Sequence, residues 1–452
     1  MKEMGGIGRW ALILLLLGNV YGGFAQDANT ARAQHIYELF VAGQGDSIHA
    51  ALNRELQEKL APALFNDSFR QAEKMFGKSI SKGEWKTDSV QGITIYYSDV
   101  EFERYNLRFL VAFDADGALN TIRLVPAPAV STAQPVAYDE TKMDERDITL
   151  GADGYKLPGT LTLPKRAVGP DACRVPCVIL VHGSGPHDCD ETIGPNKPFR
   201  DLAWGLAERG IAVVRYEKRT KAYGAACVPA GRELDYDTEA VDDAVAIVEQ
   251  VRALPELASD SVYVLGHSLG GTLAPRIAGR SKGLAGIIIL AGLARPLEDA
   301  LEEQFYYTSS LTDSSVNVKA QLDELKQQLV NVKKLGTEEF DEAIPLPLGQ
   351  PRSYWLFANA YKPVEVAAKL KLPIFVLQEE RDYQVTMEDF GLWRSGLLRC
   401  KNAYFKSYPK LNHLLQEGSG KATPFEYSHA SPVPAYVMDD IASFVRGKQN
   451  TL

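Results

Sequence analysis

The sequence lacks an excess of positive charge and lacks any long apolar segment. With 49 Lys and Arg against 58 Asp and Glu, its formal net charge is −9. A negatively charged protein is not attracted to nucleic acid or to an anionic membrane surface, so neither is an expected partner. The apolar run Trp10–Leu17 is too short to span a bilayer, so no membrane span is expected in the mature chain. These absences favour a soluble enzyme that acts on neutral small molecules.

The first residues are typical of an export signal. Lys2 and Arg9 precede the apolar run, and small residues up to Ala25 precede a polar pair. We therefore predict a cleaved signal peptide over residues 1–25. The expected location is outside the cytoplasm, in the periplasm or the extracellular space.

Cysteine is scarce, with five residues in 452. Export permits disulfides, and the spacing leaves open one bridge between Cys173 and Cys177 and another between Cys189 and Cys227. A chain with free thiols stays open as well. The odd count leaves at least one thiol unpaired, and Cys400 is the expected one.

After the signal peptide, the chain begins with a small domain over residues 28–126. Apolar residues at helical spacing come first, and strands follow over Gly92–Ser98, Asn106–Phe113 and Leu119–Leu124. This order predicts an α+β domain. It contains no residue cluster with catalytic or metal-binding spacing, so we interpret it as a module for packing, dimerisation or restriction of substrate access. A homodimer therefore stays open. Residues 127–143, rich in Pro, Ala, Ser and Thr, are predicted to be a linker.

Residues 144–449 alternate strands with helices, which predicts a mostly parallel, doubly wound α/β sheet. A leading hairpin precedes six predicted strands: Val178–Val181, Ile211–Arg215, Val262–Leu265, Ile287–Leu290, Ile374–Leu377 and Ala403–Tyr408. The stretch of about 297–361 is too long for a simple connection, and its amphipathic pattern predicts a helical cap insertion. Ligands of such sheets bind at the carboxyl ends of the strands.

The motif Gly-x-Ser-x-Gly stands at the end of one predicted strand, as Gly266-His-Ser268-Leu-Gly270. Between a strand and a helix, this motif forms a sharp turn that exposes the serine, and the glycines avoid steric clashes. The helix that follows favours negative charge at its N-terminus. We therefore predict that Ser268 is a nucleophile.

A serine nucleophile needs a base, which in this arrangement lies later in the chain. Of seven histidines, His413 and His429 follow Ser268. His413 comes directly after the last predicted core strand, whereas His429 lies in a Ser/Pro-rich stretch beyond it. His413 is therefore the predicted base.

The carboxylate that orients the base is expected after the preceding strand. Asp382 follows that strand by a few residues, and Glu379 and Glu380 at the strand end are its local competitors. We predict that Asp382 is the acid.

Backbone N–H groups are expected to stabilise the oxyanion of an acyl-transfer intermediate. One is the amide of Leu269, directly after the nucleophile. The other is expected in the small-residue loop after Val178–Val181, where Ser184 is the candidate and Gly183 the alternate.

At these motifs, residues 144–448 resemble bacterial α/β-hydrolases of the dienelactone-hydrolase and prolyl-oligopeptidase-related kind, and most closely the EstD-type carboxylesterases. The resemblance rests on several segments of the sequence: His182-Gly-Ser-Gly-Pro186, Asp190–Phe199, Tyr216-Glu-Lys-Arg219, Gly266–Gly271, Ala294–Asp299, Arg381–Val385 and Leu411-Asn-His413. One departure is the pair Glu379-Glu380, where a glycine is common before the acid.

The resemblance implies hydrolysis of short-chain carboxylic esters by a triad of Ser268, Asp382 and His413. The reaction would pass through an acyl-enzyme on Ser268, and the expected partner is a small-molecule ester, with no metal and no cofactor. Two alternatives stay open: a serine peptidase or aminoacyl amidase of related fold, and a ligand-binding protein on a catalytically retired scaffold.

Overall fold

The structure is a computed structural model that describes residues 29–90, 93–103, 105–127, 138–152, 154–169, 172–311 and 318–447. The predicted signal peptide and residues 128–137 of the predicted linker lie outside the described residues. The described residues form two compact units, one of residues 29–127 with Leu311 and the other of residues 138–310 with 318–447. No helix within the described residues is both long enough and apolar enough to cross a membrane.

The N-terminal unit places helices before strands, as the sequence predicts. Its described helices are α1 (29–41), α2 (Gly45–Ala51), α3 (Arg54–Lys59), α4 (Ala63–Asn66) and α5 (Ser68–Phe76). Its described strands are β1 (Ser79–Lys82), β2 (Lys86–Val90), β3 (Ile93–Phe102), β4 (Asn106–Phe113) and β5 (Leu119–Pro126). They form an antiparallel sheet in the order β1-β3-β4-β5, with β2 also paired to β3. Strands β1 and β2 were not predicted.

The second unit is built on one large sheet. Its described strands are β6 (Met143–Leu150), β7 (Leu157–Pro164), β8 (Val175–Val181), β9 (Ala212–Tyr216), β10 (Leu257–His267), β11 (Gly286–Leu290), β12 (Ile374–Glu379) and β13 (Ala403–Tyr408). Within the described residues these eight strands follow the order β13-β12-β11-β10-β8-β9-β7-β6. Strands β8 to β13 run parallel, and the hairpin β6–β7 joins antiparallel to β9. The predicted α/β sheet with its leading hairpin is confirmed.

Helices cover both faces of this sheet. Outside the cap they are α6 (Pro198–Glu208), α7 (Arg219–Tyr223), α8 (Asp242–Arg252), α9 (Leu269–Arg280), α13 (Pro363–Ala367), α14 (Met387–Gly396) and α15 (Ala435–Val445). Val264 packs into the core under α8 and α9, whereas the next residue, Leu265, packs into the core under α6 and α15. Because side chains alternate along a strand and both faces are covered, each central strand is a continuous apolar run.

Two further features bear on the site. The predicted cap contains α10 (Leu297–Ser310), α11 (Val318–Val332) and α12 (Arg352–Ala360). Parallel strands β8, β10, β12 and β13 all end at one edge of the sheet, so the loops after them meet there. Every predicted site residue lies in one of these loops or at the start of α9.

The five cysteines all lie within the described residues, and each is a free thiol. Cys177 is fully buried in β8, where burial raises the pKa of its thiol, while Cys173 is exposed. Neither of the two bridges that the sequence leaves open is formed.

Candidate active site

Ser268 occupies a strained turn between β10 and α9. Its backbone angles are φ 54° and ψ −117°, a region that residues with a Cβ atom rarely adopt. Its N–H donates to the carbonyl of Leu290 at 2.9 Å, which ties the turn to β11. A Cβ atom at Gly266 would lie 2.0 Å from the carbonyl oxygen of Gly270, and one at Gly270 would lie 2.2 Å from that of Val181. Lack of space therefore explains both glycines.

His413 lies in the loop after β13, where its imidazole is held by Asp382 from the loop after β12. Its Nδ1 lies 2.6 Å from Oδ2 of Asp382, and both side chains are buried. The other oxygen of Asp382 accepts the N–H of Gln384 at 2.7 Å. Since a carboxylate only accepts, the proton of the neutral imidazole is on Nδ1, and Nε2 can accept a proton.

The other candidates make different contacts. Glu380 accepts a hydrogen bond from the hydroxyl of Ser407 at 2.7 Å. Glu379 is fully buried, and within the described residues neither of its carboxyl oxygens has a hydrogen-bond partner. Burial, followed by the charge of Asp382, raises the pKa of Glu379 well above its ordinary value. The ring of His429 lies 3.4 Å from the hydroxyl of Ser428. Of the three predicted carboxyl candidates, the structure pairs Asp382 with the imidazole.

A cavity of about 530 Å³ brings the predicted residues together. It is lined by Ser268 and His413, and also by Leu269, Gly183 and Ser184. Leu269 is the first residue of α9, so its N–H has no acceptor within the helix. The N–H of Gly183, the alternate oxyanion donor, already donates to Oε1 of Glu191 at 2.7 Å. The N–H of Ser184 donates to no acceptor among the described residues.

Residues from the predicted cap line the same cavity. Leu297, Leu301 and Gln304 come from α10, and Tyr354 comes from α12. The ring of Tyr354 contacts that of Tyr236 edge-on, with centroids 4.9 Å apart. The cavity wall is therefore mainly apolar, with a few amide and carboxyl groups.

A buried ion pair of Glu191 and His267 links two of the loops. Nδ1 of His267 lies 2.8 Å from Oε2 of Glu191, and Nε2 lies 2.9 Å from the carbonyl oxygen of His413. Both neighbours are acceptors, so both ring nitrogens donate and the ring is an imidazolium. Burial disfavours that charge, but the carboxylate of Glu191 outweighs it and raises the pKa of His267 to about 9. Burial raises the pKa of Glu191, but the charge of His267 outweighs it and lowers that pKa to about 2.

A second buried ion pair joins Lys218 and Glu239. Nζ of Lys218 donates to a carboxylate oxygen of Glu239 and, at 2.8 Å, to the carbonyl oxygen of Gly183. No role for these residues or for the Glu191–His267 pair was predicted from the sequence. One signal was available for three of the four, since His267 ends β10, and Glu191 and Lys218 lie in the segments after β8 and β9, whereas Glu239 lies in the helical turn before α8. These charges differ from exposed ones in being buried, and the sequence does not show which charges are buried.

The eight-stranded sheet, the strained serine and the strand-end loops define an α/β-hydrolase fold. The model of the alpha/beta hydrolase family matches residues 178–421. The chain is 37% identical over 351 residues to Esterase EstD of Thermotoga maritima, which covers 78% of this chain and 79% of that protein. The chain therefore belongs to the alpha/beta hydrolase family, and the resemblance to EstD-type proteins is confirmed.

Solved structures include similar proteins at lower identity. Est1E from Butyrivibrio proteoclasticus matches 68% of this chain and 99% of its own, with 18% identity and a TM-score of 0.43. The acylaminoacyl peptidase of Pyrococcus horikoshii matches 82% of this chain and 51% of its own, with 14% identity and a TM-score of 0.44.

Proposed function

We propose that this protein is a carboxylesterase that cleaves small esters through an acyl-enzyme on Ser268. The observation that carries the proposal is the shared cavity of Ser268 and His413, with Asp382 bonded to the far nitrogen of the imidazole. The 37% identity to Esterase EstD supports ester hydrolysis over other reactions of the family. We also propose that the protein acts outside the cytoplasm, as its first 25 residues suggest.

The reaction follows from the roles of these groups. Nε2 of His413 takes the proton of Ser268 as the hydroxyl oxygen attacks the ester carbonyl. Asp382 keeps the imidazole in the required tautomer and stabilises the imidazolium that forms. The N–H groups of Leu269 and Ser184 donate to the oxyanion of the tetrahedral intermediate. His413 then protonates the leaving alcohol, and a water molecule activated by the same imidazole releases the acid.

The dimensions of the cavity support small substrates. Its volume of about 530 Å³ lies within the roughly 300–1,000 Å³ of small-molecule sites. The side chains of α10 and α12 close one side of it. We therefore propose short acyl chains, for which acetate and butyrate esters should be better substrates than long-chain esters.

Replacement of the nucleophile tests the proposal. Ser268→Ala should abolish hydrolysis of p-nitrophenyl acetate, because no other group can form the acyl-enzyme. Ser395→Ala, at an exposed serine of α14 that does not line the cavity, is the matched control and should retain turnover. Circular dichroism checks that both variants are folded. Wild-type turnover by Ser268→Ala would contradict the proposal, and faster cleavage of aminoacyl amides than of acyl esters would favour a peptidase.

A further inference from the structure

The ammonium group of Lys218 is buried directly behind the proposed oxyanion donor. Its side chain is 3% exposed, and that of its partner Glu239 is 5% exposed. We propose that Lys218 is a positioning residue that orients and polarises the peptide group between Gly183 and Ser184. This inference rests on the proposed function, because it concerns the stabilisation of the oxyanion in that reaction.

The argument begins with the geometry of one peptide bond. The carbonyl of Gly183 and the N–H of Ser184 belong to the same planar amide. Nζ of Lys218 donates to that carbonyl at 2.8 Å. A charged donor on the oxygen of an amide draws electron density from its nitrogen and makes the N–H a stronger donor. The effect acts on the bond that would hold the oxyanion.

The same contacts fix the direction of this N–H. On one side of Gly183, its own N–H is bonded to Glu191, and on the other its carbonyl is bonded to Lys218. The backbone N–H of Lys218 also donates to the carbonyl of His187 at 3.0 Å, which holds α7 against the loop. The peptide group before Gly183 is held through its N–H, and the peptide group after it is held through its carbonyl. The Gly183–Ser184 peptide therefore cannot flip without breaking the buried hydrogen bond to Lys218. The Ser184 N–H is therefore preorganised before substrate arrives.

Glu239 completes the arrangement by holding the ammonium in place. It accepts from Nζ of Lys218 and also shares a hydrogen bond with the hydroxyl of Tyr354. A buried ion pair contributes little more to stability than an apolar pair of the same volume. The measurable contribution of this pair is therefore expected in the rate of ester hydrolysis rather than in unfolding.

The chain offers a matched control in the next residue. Arg219 and Asp243 form an ion pair that is equally buried, with hydrogen bonds of 2.6 and 2.7 Å. Neither residue lines the cavity, and in the described residues neither bonds to Gly183. The two pairs differ in their contact with the oxyanion loop, which is the feature under test. Glu239 also lines the cavity, so KM is measured beside kcat to separate an effect on substrate binding.

The experiment compares two double variants of the full chain, Lys218→Met with Glu239→Gln and Arg219→Met with Asp243→Asn. For each we would measure kcat and KM on p-nitrophenyl acetate, the inhibition constant of a trifluoromethyl ketone and the urea midpoint. The ketone forms a tetrahedral adduct with a serine oxygen, so its affinity reports on oxyanion binding. Removing an oxyanion donor outright costs about 10²–10³ in kcat. Weakening one should therefore cost about 30-fold, with KM unchanged and a parallel loss of affinity for the ketone.

The control double variant should leave kcat and the affinity for the ketone unchanged. Because the two pairs are equally buried, its urea midpoint should change by about as much as that of the Lys218 double variant. Equal kcat values in the two double variants would overturn the inference. If the Lys218 double variant does not fold, Glu239→Gln alone decides: it frees the ammonium, so kcat should fall by a smaller factor, and wild-type kcat would overturn the inference. A wild-type protein without esterase activity would instead overturn the proposed function, and this inference with it.

Discussion

The two units of the chain bury different kinds of side chain. In the N-terminal unit, the described core is rich in aromatic side chains, and Ser98 is its one buried polar side chain among the described residues. The second unit buries many charged and polar side chains, among them four pairs: Glu191 with His267, Asp382 with His413, Lys218 with Glu239, and Arg219 with Asp243. Both units have a buried core, and they differ in the chemistry of the side chains that it contains.

This difference indicates where the chemistry of the protein resides. Burying a charge costs free energy unless it is paired and hydrogen-bonded, and even a paired charge adds little stability. Three of the four pairs in the second unit contact the strand-end loops around the cavity. The N-terminal unit contains no such pair within its described residues. We therefore expect changes in the second unit to affect catalysis, and changes in the first to affect stability.

The largest effect is expected from Asp382→Asn. The amide keeps the size of the side chain, but its NH₂ group can favour the imidazole tautomer that lacks a free Nε2 acceptor. In a serine triad this change lowers kcat by about 10⁴-fold. Stopped assays with p-nitrophenyl acetate would measure the loss, with the folded state checked by circular dichroism. Glu380→Gln, two residues away and bonded to Ser407, is the control and should retain full activity. A similar kcat for both variants would mean that Asp382 does not orient the base.

The next effect is expected in the N-terminal unit. Phe109 is fully buried and contacts the rings of Tyr37 and Phe40, each at a centroid distance of 5.2 Å. Phe109→Ala should destabilise this unit by about 3–5 kcal/mol. Its kcat should match that of the wild type, because every described residue that lines the cavity lies in the second unit. Hydrogen exchange measured by mass spectrometry would locate the loss of protection. A loss of kcat in proportion to the loss of protection would contradict the expectation that the N-terminal unit affects stability and not catalysis.

The fold was predictable where the core demands a repeating pattern. Strands β10 and β11 are buried on both faces, so continuous apolar runs revealed them. Strand β1, by contrast, is Ser-Ile-Ser-Lys and mostly exposed, and β2 is Lys-Thr-Asp-Ser-Val. These short strands carry no alternating pattern because they have little to bury. These two strands form because they pair with β3, and the sequence of a short strand does not show which strand it pairs with.

The site was predictable where a motif fixes the backbone. Ser268 follows from the two glycines, and His413 follows from its place after the last strand. The ion pairs were not predictable, because Glu191 and His267 are 76 residues apart in the chain. Their pairing depends on which strands are neighbours in the sheet. The sequence named Ser184 as the candidate oxyanion donor and Gly183 as the alternate, and the hydrogen bond of the Gly183 N–H to Glu191 supplies a structural reason for that preference.

A further test concerns the space around the strained serine. Gly270→Ala would place a Cβ atom 2.2 Å from the carbonyl oxygen of Val181, so α9 and β8 would have to move apart. We expect a loss of about 3 kcal/mol in the free energy of unfolding, together with lost activity. Gly279, in the last turn of the same helix, has nothing within 4 Å of an added Cβ. Gly279→Ala should therefore stabilise the protein by about 0.5–1 kcal/mol. Urea titration of both variants would measure the difference, and equal midpoints would contradict the close packing.

The mildest test of the comparison is pH, which acts on the Glu191–His267 pair without any substitution. The pKa of His267 is raised from 6.5 to about 9, so its contribution to stability is complete below pH 6.5 and is lost as pH rises through 9. The pKa of Glu191 is lowered from 4.5 to about 2, so its contribution is present above pH 4.5 and is lost as pH falls through 2. The pair therefore stabilises the second unit most between pH 4.5 and 6.5.

Between pH 6.5 and 9, the urea midpoint of the second unit should fall in the wild type. The double variant Glu191→Gln with His267→Gln has no charge at these positions, so over the same range its midpoint should change less. Hydrogen exchange would report the two units separately, and the N-terminal unit, which has no buried ion pair among its described residues, serves as the internal reference. If both units lost protection equally, the alkaline loss would come from general charge repulsion, and the buried pair would not be its cause.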